Sequence, residues 1–146
     1  MASKAQLETL IDLARRETDD AAKRLGAALK AVDEARQKHQ MLVGYRDEYV
    51  KRFEEAQANG ITPMAYRNFQ AFMEKLDVAV KGQLDMIRHA EYRGEQEKAA
   101  WQTAERKRMS YSTLNERAAA EALKVENKRD QKQMDEHAAR QAYYKR

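Results

Sequence analysis

The chain of 146 residues contains no cysteine, one proline, five glycines and one tryptophan. Without cysteine there is neither a disulfide framework nor a thiolate metal site, which fits a reducing compartment. With so little proline and glycine, few positions can interrupt a helix. β-Branched residues such as Ile11, Val43 and Val50 stand among polar helix formers and do not alternate with them, so no half-buried strand is expected. No run approaches the ~20 apolar residues that cross a bilayer. Residues 1–13 carry acidic side chains and lack the unbroken apolar stretch of a secretory signal. The expectation is a cytoplasmic chain that neither spans a membrane nor leaves by that route.

An excess of one charge is also lacking. The chain carries 28 basic and 24 acidic residues, a net +4, mostly interspersed, unlike a dense polycation built for nucleic acid. Its densest basic cluster, Arg106-Lys107-Arg108, would spread around a helix at about 100° per residue. That makes a charged collar, not a stripe following a phosphate backbone.

What is present is helix. Charged residues make up 36% of the chain, and alanine, glutamate, lysine, arginine, glutamine and leucine dominate; these lose little side-chain freedom in a helix. Leu7, Ile11, Ala14, Thr18, Ala21, Leu25, Ala28, Val32, Ala35, His39, Leu42, Arg46, Tyr49, Phe53 and Ala56 recur at alternating steps of four and three. This is a coiled-coil seam, and its alanines call for a partner helix that comes close. The pattern stops at Ala58-Asn59-Gly60-Ile61-Thr62-Pro63, where Gly60 suits a left-handed helix end, Thr62 an N-cap and Pro63 a first helical position. Periodicity resumes with Phe69, Phe72, Met73, Leu76, Ala79 and Val80 and continues through Leu84, Ile87, Ala90, Gly94, Trp101, Ala104, Tyr111 and Ala118. It fades after Ala122 and Val125. Gly82 and Gly94 within this stretch are read as points of close backbone approach.

The fold class expected is therefore all-α, a long antiparallel two-helix coiled coil, or helical hairpin. A first helix of about fifty residues would be ~75 Å long. Residues 1–125 form the hairpin, with its turn near 57–63. Residues 126–146, with few apolar positions, form a C-terminal tail that is helical or partly disordered and outruns the first helix.

Chemistry is hard to place on such a scaffold. His39, His89 and His137 have no second histidine three or four residues away, so no metal pair arises. No phosphate loop, nucleophile elbow or kinase-like motif occurs, and a two-helix rod offers no concave pocket to exclude water from a reaction. The chain is read as non-enzymatic, with no cofactor and no metal.

The informative region lies near the turn. At 100° per residue, Leu42, Val43, Tyr45, Tyr49, Val50 and Phe53 cover roughly 160°, wider than a two-helix seam requires. Phe72, Met73, Leu76, Ala79, Val80, Leu84, Met86 and Ile87 spread over a similar arc. If the chain folds back about Gly60 and Ile61, Tyr49 comes beside Phe72, Tyr45 beside Leu76, Leu42 beside Ala79, and Lys38 beside Gln83. This ladder is either an exposed partner-binding surface or a thicker local core, and periodicity alone leaves both open.

Several segments in order, Leu7-Glu8-Thr9-Leu10-Ile11-Asp12-Leu13-Ala14 with Asp19-Asp20-Ala21-Ala22, Met41-Leu42-Val43-Gly44-Tyr45-Arg46-Asp47-Glu48-Tyr49, Asn59-Gly60-Ile61, Asn68-Phe69-Gln70-Ala71-Phe72, and Glu126-Asn127-Lys128-Arg129-Asp130-Gln131-Lys132-Gln133-Met134-Asp135-Glu136, resemble the FliJ family of flagellar export proteins. The resemblance implies a coiled coil similar to the central stalk of rotary ATPases, seated in the ring of the export ATPase FliI with FliH nearby. It also implies contacts with the export gate protein FlhA and with flagellar export chaperones, no nucleic acid, and peripheral membrane association only through the export apparatus. Carried over from the family, the gate-contacting surface is Leu42, Tyr45, Tyr49, Phe72, Leu76 and Ala79. Lys38 and Gln83 lie at its edge, where members often have glutamine and histidine. Leu7, Leu10, Ile11 and Ala14 are assigned to the ATPase ring, because the seam from Leu7 to Ala28 is slim and alanine-rich. The rival readings are a self-associating coiled-coil scaffold, a basic nucleic-acid-binding helix pair, and the related stalk proteins of injectisomes.

Overall fold

A computed structural model describes residues 3–145; Met1, Ala2 and Arg146, the outermost positions of the expected hairpin and tail, lie outside the described residues. Helix α1 spans Lys4–Asn59 and α2 spans Pro63–Tyr144, with no strand among the described residues. The fold is a helical hairpin. It divides into a tip unit, Asp19–Gln102, and a terminal unit, Met1–Thr18 with Thr103–Arg146.

In the tip unit the turn follows from local chemistry. Gly60 has φ +87°, a left-handed conformation that costs a residue bearing Cβ about 1–2 kcal/mol. Its amide donates to the Gln57 carbonyl at 3.2 Å, closing the end of α1. Thr62 then caps α2: its hydroxyl accepts the Ala65 amide at 3.1 Å, and its carbonyl accepts the Tyr66 amide at 3.0 Å. Pro63 stands first in the helix, where no amide hydrogen is needed.

The two helices of this unit pack along the expected α1 seam. Ala21, Ala28 and Val32 are buried, and Leu25, Ala35, His39, Leu42, Arg46, Tyr49, Phe53 and Ala56 are half-buried. On α2, Val80, Gln83 and Gly94 are buried, and Phe69, Met73, Leu76, Ile87, Ala90 and Trp101 are half-buried. Three positions expected in the second seam differ: Phe72, Ala79 and Leu84 are exposed. A two-helix interface accepts a stripe, and residues one step off it turn outward. A Cβ on Gly94 would lie 3.9 Å from Val32 Cγ2, so this glycine faces a side chain of α1 at ordinary contact distance and not its backbone. Gly82 does not, since nothing lies within 4 Å of the corresponding position.

Polar groups tie the pair. Gln83 Nε2 donates to the Ala35 carbonyl at 3.0 Å, satisfying a buried amide that would otherwise cost about 1–3 kcal/mol. Arg24 pairs with Glu97 at 3.3 Å, Arg36 with Glu91 at 3.0 Å and Arg46 with Asp77 at 3.8 Å. Arg24, Arg36 and Glu91 are exposed while Glu97, Arg46 and Asp77 are half-buried, and surface pairs of this kind contribute under about 1 kcal/mol. They favour the antiparallel register more than they add stability.

In the terminal unit, α1 begins with a capping box that sequence reasoning missed, although Ser3 and Gln6 have the required spacing. The Gln6 amide donates to Ser3 Oγ at 3.2 Å and the Ser3 amide donates to Gln6 Oε1 at 3.0 Å. Leu7, Ala14 and Thr18 are buried, and the Thr18 hydroxyl donates to the Ala14 carbonyl at 2.9 Å. Lys107 reaches Glu17 at 3.5 Å. Arg108 donates through two nitrogens to the Glu105 carboxylate, which holds that carboxyl below its usual range. The expected apolar seam ends early: every described residue from Glu116 onward, Ala118 included, is exposed, and α2 runs on without interruption to Tyr144.

Candidate partner-binding surface

Rings gather where α1 and α2 approach the turn. Tyr49 lies against Phe72, centroids 4.5 Å apart, and against Phe69 at 5.2 Å. Phe53 lies against Phe69 at 5.2 Å and Tyr66 at 5.5 Å. All four contacts are tilted, between the stacked and edge-to-face extremes, with centroids at the distances usual for packed aromatic pairs. The Tyr49–Phe72 contact has the register expected of a fold about Gly60 and Ile61. Tyr66 and Phe69 complete the cluster; Tyr66 was missed because it stands one position past the half-buried Ala65 and shows no periodic signal of its own.

Both readings of the ladder contain part of the arrangement. Tyr49, Phe53 and Phe69 are half-buried and thicken the core. Tyr45 keeps 53% of its surface exposed and Phe72 45%, and with Glu48, Tyr49, Arg52 and Leu76 they line one depression. Leu42 and Leu76 are half-buried, and Ala79 and Lys38 are exposed. Gln83 is buried, with its amide engaged by α1. The surface therefore joins Tyr45, Tyr49, Phe72 and Leu76 directly. Lys38 and Gln83 share a second depression farther from the turn.

The other set, in the terminal unit, separates by face. Leu7 and Ala14 are buried against α2, leaving them little surface for a partner. Leu10 and Ile11 are half-buried, and Leu10 lines a shallow depression with Ala5, Gln6 and Thr9.

Among the described residues no group of three or more potential ligands converges to hold a metal ion, and no helix is long and apolar enough to cross a membrane.

A sequence profile of the family described as "Flagellar FliJ protein" matches residues 3–146. Two proteins of that description are similar over 145 residues, 99% of this chain and 99% of each of them: one from Salmonella typhi at 34% identity and one from Escherichia coli (strain K12) at 32%. A solved structure of a YscO homolog, CT670, from Chlamydia trachomatis aligns over 90% of this chain and 86% of its own, with TM-score 0.47 and 15% identity.

Proposed function

The chain belongs to the FliJ family of flagellar proteins, and from that premise we propose that it acts as a non-enzymatic stalk held by other proteins of flagellar export. Membership makes it a component of the flagellar export apparatus. The finer reading is that its terminal unit engages the ring of the export ATPase FliI, with FliH alongside. Its tip contacts the gate protein FlhA, and export chaperones meet the same hairpin. The protein then resides in the cytoplasm, at the inner membrane only through its partners, and binds no nucleic acid.

The observation that carries the tip assignment is the division of the ring cluster. Phe53 and Phe69 are half-buried, while Tyr45 and Phe72 keep about half their surface exposed beside Leu76. Interface energy concentrates in a few aromatic anchors, and rings buttressed from behind lose little freedom on binding. Phe72→Ala should weaken the cytoplasmic part of FlhA by about 2 kcal/mol or more if Phe72 is such an anchor. Titration of affinity and the helical melting curve on one preparation test this. Lost affinity with a nearly unchanged melt supports the reading; a large fall in melting temperature with full affinity in the folded fraction defeats it.

A further inference from the structure

The turn between the helices also holds a reactive pair of residues. Of the four asparagines, Asn59, Asn68, Asn115 and Asn127, only Asn59 precedes a glycine. The other three lie inside α2 and are followed by Phe69, Glu116 and Lys128, whose side chains hinder approach to the backbone nitrogen that each asparagine would have to meet. Asn59 is the last residue of α1, and both it and Gly60 are exposed. Nothing lies within 4 Å of where a Cβ on Gly60 would stand, so the glycine is open on that side. Its amide is held by the Gln57 carbonyl at 3.2 Å, the long end of the usual range. That bond closes a helix end, where local opening costs least.

We propose that Asn59 is a site of spontaneous deamidation through a cyclic imide with Gly60. When the last turn of α1 opens, the Gly60 nitrogen gives its proton to solvent base and attacks Asn59 Cγ. A carbon–nitrogen bond forms, a five-membered ring closes, and the side-chain nitrogen leaves as ammonia. Water then opens the ring. Addition at Cγ restores the normal peptide link and leaves aspartate at position 59. Addition at the main-chain carbonyl leaves isoaspartate, with the backbone routed through the side chain and one carbon longer. Water is consumed and ammonia released, and nothing is oxidised or reduced.

Either product puts a carboxylate on the last residue of α1. That end of a helix carries partial negative charge, the last turn of α1 has no basic residue, and Glu55 stands four residues earlier on the same face. The conversion therefore weakens the closure of α1. In the isoaspartate form it also lengthens the link between Phe53 and Tyr66, whose rings lie 5.5 Å apart across the turn. This chemistry needs only water and is independent of which partner meets the tip.

In the experiment the full chain is kept at neutral and at mildly alkaline pH, sampled over days and digested with trypsin. Residues 53–67 come off as one peptide, because Arg52 and Arg67 are the cleavage points that bound it. The expected result is that this peptide gains the mass difference between an amide and an acid, faster at the higher pH. It should separate into two products of equal mass, one of which accepts a methyl group from an isoaspartyl methyltransferase. Peptides holding Asn68, Asn115 and Asn127 should stay unchanged over the same period. Asn59→Gln, which can close only a larger ring, should remove the signal, and Asn59→Asp, which fixes one product, should lower the melting temperature. A synthetic peptide of residues 53–67 serves as the unfolded reference. If it converts while the full chain does not, the turn protects Asn59 and the inference is overturned. Equal conversion at the other asparagines, or a mass gain that persists in Asn59→Gln, overturns it as well.

Discussion

Individual side chains in the ring cluster have separable duties. Phe69 touches both Tyr49 and Phe53, so Phe69→Ala removes the ring between two others and should destabilise the free protein by about 3 kcal/mol, seen as a lower melting temperature. Phe72 has nearly half its surface free, and its truncation should be felt mainly in binding. At the turn, Gly60→Ala should cost about 1–2 kcal/mol through the positive φ alone, because no neighbour crowds the added methyl. Glu105 offers a test by pH. Its carboxyl is held low by hydrogen bonds from Arg108, so the ionised form favours the folded state above the usual carboxylate range, and that advantage fades as pH falls through the lowered folded value. The difference in melting temperature between the natural chain and Glu105→Gln should therefore shrink on acidification below about pH 4.

The helices themselves were largely legible in the residues. The α1 seam from Leu7 to Ala56 could be read from spacing, and all of its members are buried or half-buried, because a heptad pattern fixes which face a helix presents. The turn was equally plain, since glycine, threonine and proline each have one conformational use there. The second seam was less so. Spacing put Leu84 in the seam and put Phe72 and Ala79 both in the seam and on the candidate surface, and all three are exposed, while the buried Gln83 was read as an edge residue of the binding surface. Polarity conceals a residue whose amide finds a carbonyl on the neighbouring helix, and apolar character says nothing about which side of a wide arc meets the partner. The site was half legible for the same reason: periodicity brought Tyr49 to Phe72 but could not say which ring stays outside. At this scale Thr62→Ala, which removes the cap on α2, should cost about 1 kcal/mol, measured by chemical denaturation. Amides in residues 116–144, which lack any covering contact, should exchange far faster than those around Val32 and Val80.

For the whole molecule, membership of the FliJ family makes the chain a component of the flagellar export apparatus, and the proposed stalk role is tested on the chain with its partners. Removing the first twelve and the last twenty residues should abolish stimulation of the FliI ATPase while leaving FlhA binding intact, because the tip unit keeps its own contacts. Stimulation that survives the truncation would remove the ring from the reading of the terminal unit. Mass measured across a wide concentration range addresses the rival scaffold: a constant monomer mass is the expected outcome, and steep self-association would assign the surface at Tyr45, Phe72 and Leu76 to a second copy instead.

The spacing of alanines in the tip unit has a mechanical consequence. A beam made of two parallel strands resists bending in proportion to the square of their separation, and helix axes lie closer where small side chains meet. Ala21 and Ala28 are buried in the seam, and Tyr49, Phe53 and Phe69 bring their rings together nearer the turn, so the axes should lie closer in the alanine stretch than at the rings. On that ground the alanine stretch should be the more compliant part of the tip unit and the ring cluster the stiffer one.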